Sequence, residues 1–328
     1  MKRIAVIALA LVLLMGLLPG CGTAKPTGGK PSIVCTIFPQ YDWVRQILGD
    51  KADKFDLTLL LGNKVDLHSY TPSFDDMMKV SNCDLFVYVG GESDGWVKDA
   101  LAKPANKDMQ VIDLLEVLGD AAKEEEMLPG MQAEDEEEAE EDAEEEVEYD
   151  EHVWLSLKNA QVFCAAIADA LGKLDPDNAA AYEVNKDAYN ARLAALDLEY
   201  QAAVDAAPTK ALLFGDRFPF RYFKDDYGLE CDAAFLGCSA ETEASFDTII
   251  NLARKVDALK LHTVMVIESG DQSIAKAIIA QTAAKDQQIL VLDSMQSVTT
   301  ADIRGGTTYL SIMESNLRVL KEALQSGK

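Results

Sequence analysis

The feature that most constrains the fold of this chain is an alternation, four times in each half, of short apolar runs with longer amphipathic stretches. In the first half the β-rich runs are Ser32–Phe38, Lys54–Gly62, Asp84–Gly90 and Asp108–Leu114. Helical stretches at Tyr41–Leu48, Pro72–Ser81 and Gly95–Ala102 separate them, and Ser156–Lys173 closes the half. The second half repeats the scheme with strands at Lys210–Gly215, Cys231–Gly237, Thr263–Ser269 and Gln287–Asp293. Its helices are Arg221–Tyr227, Ser245–Leu259, Ile274–Ala284 and Tyr309–Leu324. Near-continuous apolar strands suit parallel sheets covered on both faces, and the alternation implies right-handed β-α-β units. The expected fold class is α/β: two similar doubly wound lobes, each with a mainly parallel four-stranded sheet.

A single long helix is expected to join the lobes. Asp175 and Pro176 suit its start, Pro208 its end. Tyr182, Tyr189, Leu193, Leu196, Tyr200 and Val204 fall on one side of it at helical spacing. From Pro176 to Ala206 it would span roughly 46 Å, a rigid spine that limits hinge motion. The expected organisation is a leader over 1–20, a tether over 21–31 and an N-terminal lobe over 32–174. The connecting helix then takes 175–207 and the C-terminal lobe 208–328.

The leader has Lys2 and Arg3 followed by an apolar run from Ile4 to Leu18, interrupted only by Gly16. A helix of that length reaches roughly 22 Å, short of the ~30 Å bilayer core, so the run reads as a secretory signal. It ends Leu18-Pro19-Gly20-Cys21, which resembles a bacterial lipobox, with Cys21 as the acylated residue; the plainer alternative is an ordinary signal peptide. The expected location is outside the cytoplasmic membrane, lipid-anchored to its outer face. Five further cysteines remain, at 35, 83, 164, 231 and 238. Export permits disulfides, and Cys231 with Cys238 is one conceivable pair, although buried free thiols are the simpler reading. No C-x-x-C spacing occurs, which argues against a thiolate zinc site.

Charge narrows the function. The formal net charge of −26 disfavours nucleic-acid binding, which needs a basic face. Residues 124–151 hold 17 Asp/Glu and no Lys or Arg, so most of the excess is local. Within a loop of about 122–149, expected to be disordered, the run Glu134, Asp135, Glu136, Glu137, Glu138 is the core of a possible weak cation collector. A solvated, variable loop is the bland alternative.

Ligands of open α/β sheets bind where strands end at their carboxyl side. His68 lies there, in Asp66-Leu67-His68-Ser69-Tyr70-Thr71-Pro72, and His152 lies where the acidic run meets the next helix. His262 precedes a strand and reads as a surface residue. Asp216, Glu268 and Asp293 each end or follow a strand of the second half; each serves equally well as a turn or helix-cap residue. Imidazole and carboxylate together suit zinc or manganese, in the cleft between lobes.

Asp66-x-His68-x-Tyr70-x-Pro72, with the order leader, lobe, charged insertion, second His, long helix, lobe and terminal Asp, resembles the cluster A-I solute-binding lipoproteins of zinc and manganese ABC importers. The likeness runs from about Ser32 to Leu324. It implies that His68, His152 and Asp293 are metal ligands. It also implies a further ligand three residues before the aromatic of Phe220-Arg221-Tyr222-Phe223, where this chain has Arg217. Arginine has no lone pair to offer a cation. Asp216, Glu268, an acid of Glu241–Glu243, or water are the candidates for that place. The stretch Phe235-Leu236-Gly237-Cys238-Ser239-Ala240-Glu241 resembles zinc-uptake sequences, which places zinc ahead of manganese.

The expected function is therefore a monomeric binding protein, not an enzyme, that captures a divalent transition metal and passes it to an ABC permease in the cytoplasmic membrane. An exported metallohydrolase is the alternative from another class, but H-E-x-x-H and G-x-S-x-G are missing from the sequence. An adhesion protein using the acidic segment is the third.

Overall fold

The computed structural model describes residues 29–128, 130–132, 148–239 and 243–325. Eight strands form two all-parallel sheets. The first contains β1 (Ser32–Cys35), β2 (Asp56–Leu59), β3 (Leu85–Tyr88) and β4 (Gln110–Asp113), in the order β2-β1-β3-β4. The second contains β5 (Ala211–Phe218), β6 (Glu230–Leu236), β7 (Thr263–Val266) and β8 (Gln288–Val291), in the order β6-β5-β7-β8. The two orders are the same when strands are matched by rank, so the expected pair of similar doubly wound lobes is present. Central strands carry the most apolar runs: Leu85, Phe86 and Val87 in one sheet, Val264, Met265 and Val266 in the other, all fully buried.

The first half has helices α1 (Phe38–Leu48), α2 (Phe74–Asn82), α3 (Val97–Ala102), α4 (Leu114–Leu118) and α5 (Leu157–Leu174). The long helix is α6 (Ala179–Asp205). Helices α7 (Arg221–Tyr227), α8 (Phe246–Leu259), α9 (Ser273–Gln281), α10 (Thr300–Arg304) and α11 (Tyr309–Gln325) follow. Side-chain caps fix several starts: Ser73 accepts from the Asp76 amide, Ser156 from Asn159 and Ser245 from Thr248. The expected strand from Lys54 shortens to Asp56–Leu59 because Gly49–Lys54 forms 3-10 turns. The expected strand to Leu114 stops at Asp113, whose carboxylate turns to cap α4 by accepting the Glu116 amide at 3.0 Å.

Helix α6 has 27 residues, about 40 Å. Its buried residues are the six expected ones. The start differs from expectation. Asp175 makes no side-chain bond to a backbone amide; its Oδ2 instead accepts from Asn178 Nδ2 and Tyr182 Oη, each at 2.7 Å. Pro176–Asn178 is a 3-10 turn leading into the helix. The buried face meets α5, α1 and α11, and Tyr200 Oη donates to the Met313 carbonyl at 2.6 Å.

One continuous apolar core draws residues from both sheets, with the Trp43 ring in contact with those of Phe163 and Tyr309. Smaller clusters lie on the other sheet faces, one around Leu213, Val256 and Ile278 and one around Val80, Phe86 and Val97. Residues Pro31–Lys328 form one compact unit. Polar contacts also cross between the halves: Trp154 Nε1 donates to the Ser294 carbonyl at 2.9 Å, and the Tyr309 amide donates to Asp42 at 2.9 Å.

The margins of the acidic segment are ordered, which narrows the expected loop of 122–149. Glu124 and Tyr149 form an antiparallel bridge, and the Asp150 amide donates to the Lys123 carbonyl at 2.8 Å. The Gln132 amide donates to the Ala234 carbonyl at 3.0 Å, and Leu128 is buried. These apolar and main-chain contacts hold residues that the charge pattern alone gives to solvent. Glu134, Asp135, Glu136, Glu137 and Glu138 lie outside the described residues, as do Cys21 and Glu241.

Candidate metal centre

His68 occupies a 3-10 turn, Leu67–Ser69, just beyond β2. Asp66 caps the turn by accepting the His68 amide at 3.0 Å, and buried Leu67 pins it to the core. His152 is fully buried at the start of another 3-10 turn, Val153–Leu155, whose three residues are buried too. The zipped base of the acidic segment delivers it there.

The two rings meet at their outer nitrogens, His68 Nε2 to His152 Nε2, at 3.0 Å. Their inner nitrogens are held from behind. His68 Nδ1 is 2.8 Å from Ser93 Oγ and 3.4 Å from Glu151 Oε2. His152 Nδ1 is 3.2 Å from Asp150 Oδ1, which also accepts the His152 amide at 2.8 Å. An acceptor behind Nδ1 favours the tautomer that leaves Nε2 free to ligate, the usual arrangement behind a metal-binding imidazole. Burial pulls the Glu151 carboxyl up, but His68 and Ser93 hydrogen bonds overcome it and hold it below its ordinary range.

Cys238 joins these rings. Among the described residues, ligand atoms of His68, His152 and Cys238 lie within 4.8 Å of one another. His68 and Cys238 line a cavity of about 250 Å³ together with Glu92, Ser93, Glu125, Glu148, Tyr149 and Glu151. Burial pushes the Cys238 thiol well up, and the charges of Glu125, Asp150 and Glu151 push in the same direction.

The other candidate residues have different surroundings. Arg217 turns to the first lobe, its Nη2 2.6 Å from Asp66 Oδ2, while Nη1 reaches the Ser239 carbonyl at 3.4 Å. Burial raises the Asp66 carboxyl, but the Arg217 guanidinium outweighs it and holds it low. Asp216 accepts the amides of Arg217 and Ile267 at 2.9 and 3.2 Å and faces a second cavity of about 390 Å³. Glu268 grips the loop after β8, accepting the amides of Ser294, Gln296 and Ser297 at 2.7, 3.0 and 3.2 Å. Asp293 begins that loop and accepts the Met295 amide at 2.7 Å; burial and then the charge of Glu268 push its carboxyl up to about 7. None of these three acids belongs to the His68–His152–Cys238 set. His262 is exposed, as expected.

Residues 33–323 match the family model described as the periplasmic zinc-uptake complex component A, ZnuA. The chain belongs to this family. The zinc-binding lipoprotein AdcA of Streptococcus pneumoniae is 31% identical over 322 residues, covering 98% of this chain and 61% of that protein. This chain thus spans about three fifths of AdcA. The high-affinity zinc uptake protein ZnuA of Bacillus subtilis is 31% identical over 306 residues, covering 92% of this chain and 90% of that protein. Among solved structures, the Zn(II)-bound ZnuA-like domain of AdcA superposes with a TM-score of 0.69 at 29% identity, covering 90% of this chain and all of that domain. The metal-dependent lipoprotein YcdH of Bacillus subtilis gives a TM-score of 0.71 at 25% identity, with the same coverage.

Cys238 is the residue that sequence reasoning missed. Neither C-x-x-C spacing nor disulfide pairing reveals a single thiol that meets two distant histidines. The usable signal was its place immediately after a strand, the rule already applied to the acids. All five described cysteines are free. Cys231 and Cys238 cannot pair because β6 extends between them at roughly 3.3 Å per residue, far beyond the ~7 Å Cα limit for a disulfide.

Proposed function

We propose that this protein is the extracytoplasmic solute-binding component of an ABC importer for zinc, capturing the ion between its lobes and delivering it to a membrane permease without catalysing a reaction. The observation that carries this reading is the pair of Nε2 atoms turned toward each other, the His152 ring held from behind by Asp150 and the His68 ring by Ser93 with Glu151 close by. The family match and the zinc-binding relatives favour zinc over manganese. His68 and His152 are the ligands assigned with most support. Asp293 is kept as a further ligand of the loaded form on the strength of the family resemblance, its carboxylate accepting the Met295 amide as Asp216 and Glu268 accept main-chain amides.

The periplasmic description of the family and the lipoprotein relatives support a location outside the cytoplasmic membrane. The lipobox-like Leu18-Pro19-Gly20-Cys21 makes Cys21 the proposed anchor, and a monomer is the proposed working state. The acidic run from Glu134 to Glu138 is proposed as a weak collector of cations, in keeping with a cavity whose lining includes Glu92, Glu125, Glu148 and Glu151. Competition calorimetry on metal-stripped protein tests the central reading. One tight equivalent of zinc is expected, bound in preference to manganese, with affinity falling at least about tenfold in His68→Ala. Absence of tight zinc binding by the wild type would refute it.

A further inference from the structure

The geometry points to Cys238 as a direct ligand: we propose that the ion is held by a mixed centre of one thiolate and two imidazoles, His68, His152 and Cys238. The inference rests on the zinc-binding reading above and deepens it by naming a ligand that fixes the class of metal.

Three independent features place the thiol in the centre. The first is convergence. The Cys238 sulfur and two ring nitrogens from three separate loops come within 4.8 Å of one another, though they are 84 and 86 residues apart along the chain. Tetrahedral zinc, with Zn–N near 2.0–2.1 Å and Zn–S near 2.3 Å, places its ligand atoms about 3.4–3.6 Å apart. The 3.0 Å between the imidazole nitrogens therefore has to open by only a few tenths of an ångström.

The second feature is the residue before it. A Cβ at Gly237 would lie 2.9 Å from His152 Cε1, 3.1 Å from His152 Nδ1 and 2.9 Å from the Phe218 carbonyl oxygen. Only a residue without a side chain lets the end of β6 come this close to the histidine ring. The close approach brings the next residue, Cys238, to the imidazoles.

The third feature is the bracing of the loop. The Cys238 amide donates to Glu125 Oε1 at 3.4 Å, and the Ser239 carbonyl accepts from Arg217. Arg217 is itself tied to Asp66, two residues from His68. Arg217 thus offers no lone pair to the metal but links the turn that carries His68 to the loop that carries Cys238. When zinc binds, the sulfur–hydrogen bond is replaced by a sulfur–zinc bond and the proton leaves to solvent.

The consequence is selectivity. Thiolate is a soft ligand that suits zinc, whereas manganese prefers carboxylate, carbonyl and water. Two imidazoles alone leave that choice open; a thiolate decides it.

X-ray absorption on zinc-loaded wild type, together with cobalt substitution, tests the proposal. One sulfur scatterer near 2.3 Å is expected beside nitrogen and oxygen at about 2.0–2.1 Å. The cobalt protein should show a thiolate-to-cobalt charge-transfer band in the near ultraviolet that Cys238→Ser lacks. The same variant should lose at least about tenfold in zinc affinity, and the zinc-to-manganese preference should narrow. A zinc shell of nitrogen and oxygen only, at full wild-type affinity, overturns the role of Cys238 and leaves zinc binding standing. A wild type that takes up no tight zinc overturns both. The absorption measurement needs no variant, so misfolding of Cys238→Ser cannot obscure the outcome.

Discussion

Single atoms decide how this site is built. Gly237 shows this most directly, because the added methyl of Gly237→Ala meets the Phe218 carbonyl, which is backbone and cannot swing away. The loop has to retreat, so zinc affinity is expected to fall about tenfold or more in calorimetry while the melting temperature moves little. Unchanged affinity would mean that the close approach is incidental. Asp94 makes a separate prediction, for the metal-free protein. It is buried, with Oδ2 accepting the Val89 and Gly90 amides at 2.8 and 3.2 Å. Burial, aided by the charges of Glu151 and Asp113, raises its carboxyl from 3.8 to about 7 despite those amides. The folded state therefore holds this proton more tightly than the unfolded one. Its contribution is complete below about pH 4 and is lost as pH rises through about 7, on the order of 4 kcal/mol. Denaturant titrations across this range should show stability falling with pH, and Asp94→Asn should flatten that slope. A slope unaltered in the variant would assign the effect to other groups.

At the level of elements, the periodic pattern was readable and the terminal chemistry less so. The buried side of α6 follows from spacing alone because every third or fourth residue of a helix faces the same neighbour. Which neighbour it faces was not in the pattern. Tyr200 meets Met313, 113 residues further on, and its hydroxyl is enclosed there. Tyr200→Phe keeps the ring and removes the donor, while Met313 sits inside α11 where its carbonyl keeps its helical partner, so a loss of about 0.5–1.5 kcal/mol in chemical denaturation is expected. A loss near zero would show that water takes over the bond. Strand ends were less legible than helix faces, since capping by Asp113 and the 3-10 turns before Phe55 depend on local hydrogen bonds that apolar spacing does not encode.

Across the whole molecule, charge and connectivity work together. The strap from Lys123 to Gln132 leaves the first lobe and reaches the second, with the Lys123 amide donating to Tyr222 Oη at 2.9 Å and Lys123 Nζ 2.7 Å from Asp225. The described flanks of the acid-rich segment, Glu125 and Glu148, line the cavity. Deleting residues 134–146 is expected to remove weak, salt-sensitive metal sites and slow uptake at low metal, with the tight site kept. Uptake and stoichiometry unaffected by the deletion would make the segment a mere solvated loop. The sequence by itself determined the α/β class, the doubly wound repeat, the spine helix and the two histidines, because periodicity, strand-end position and a motif are local along the chain. Only the tertiary structure decided that His68 and His152 meet nitrogen to nitrogen, that Arg217 turns to Asp66, and that the Cys238 sulfur lies beside the two rings. Those are relations between loops more than 80 residues apart. They are set by how two sheets pack across a shared core, and no spacing rule records them.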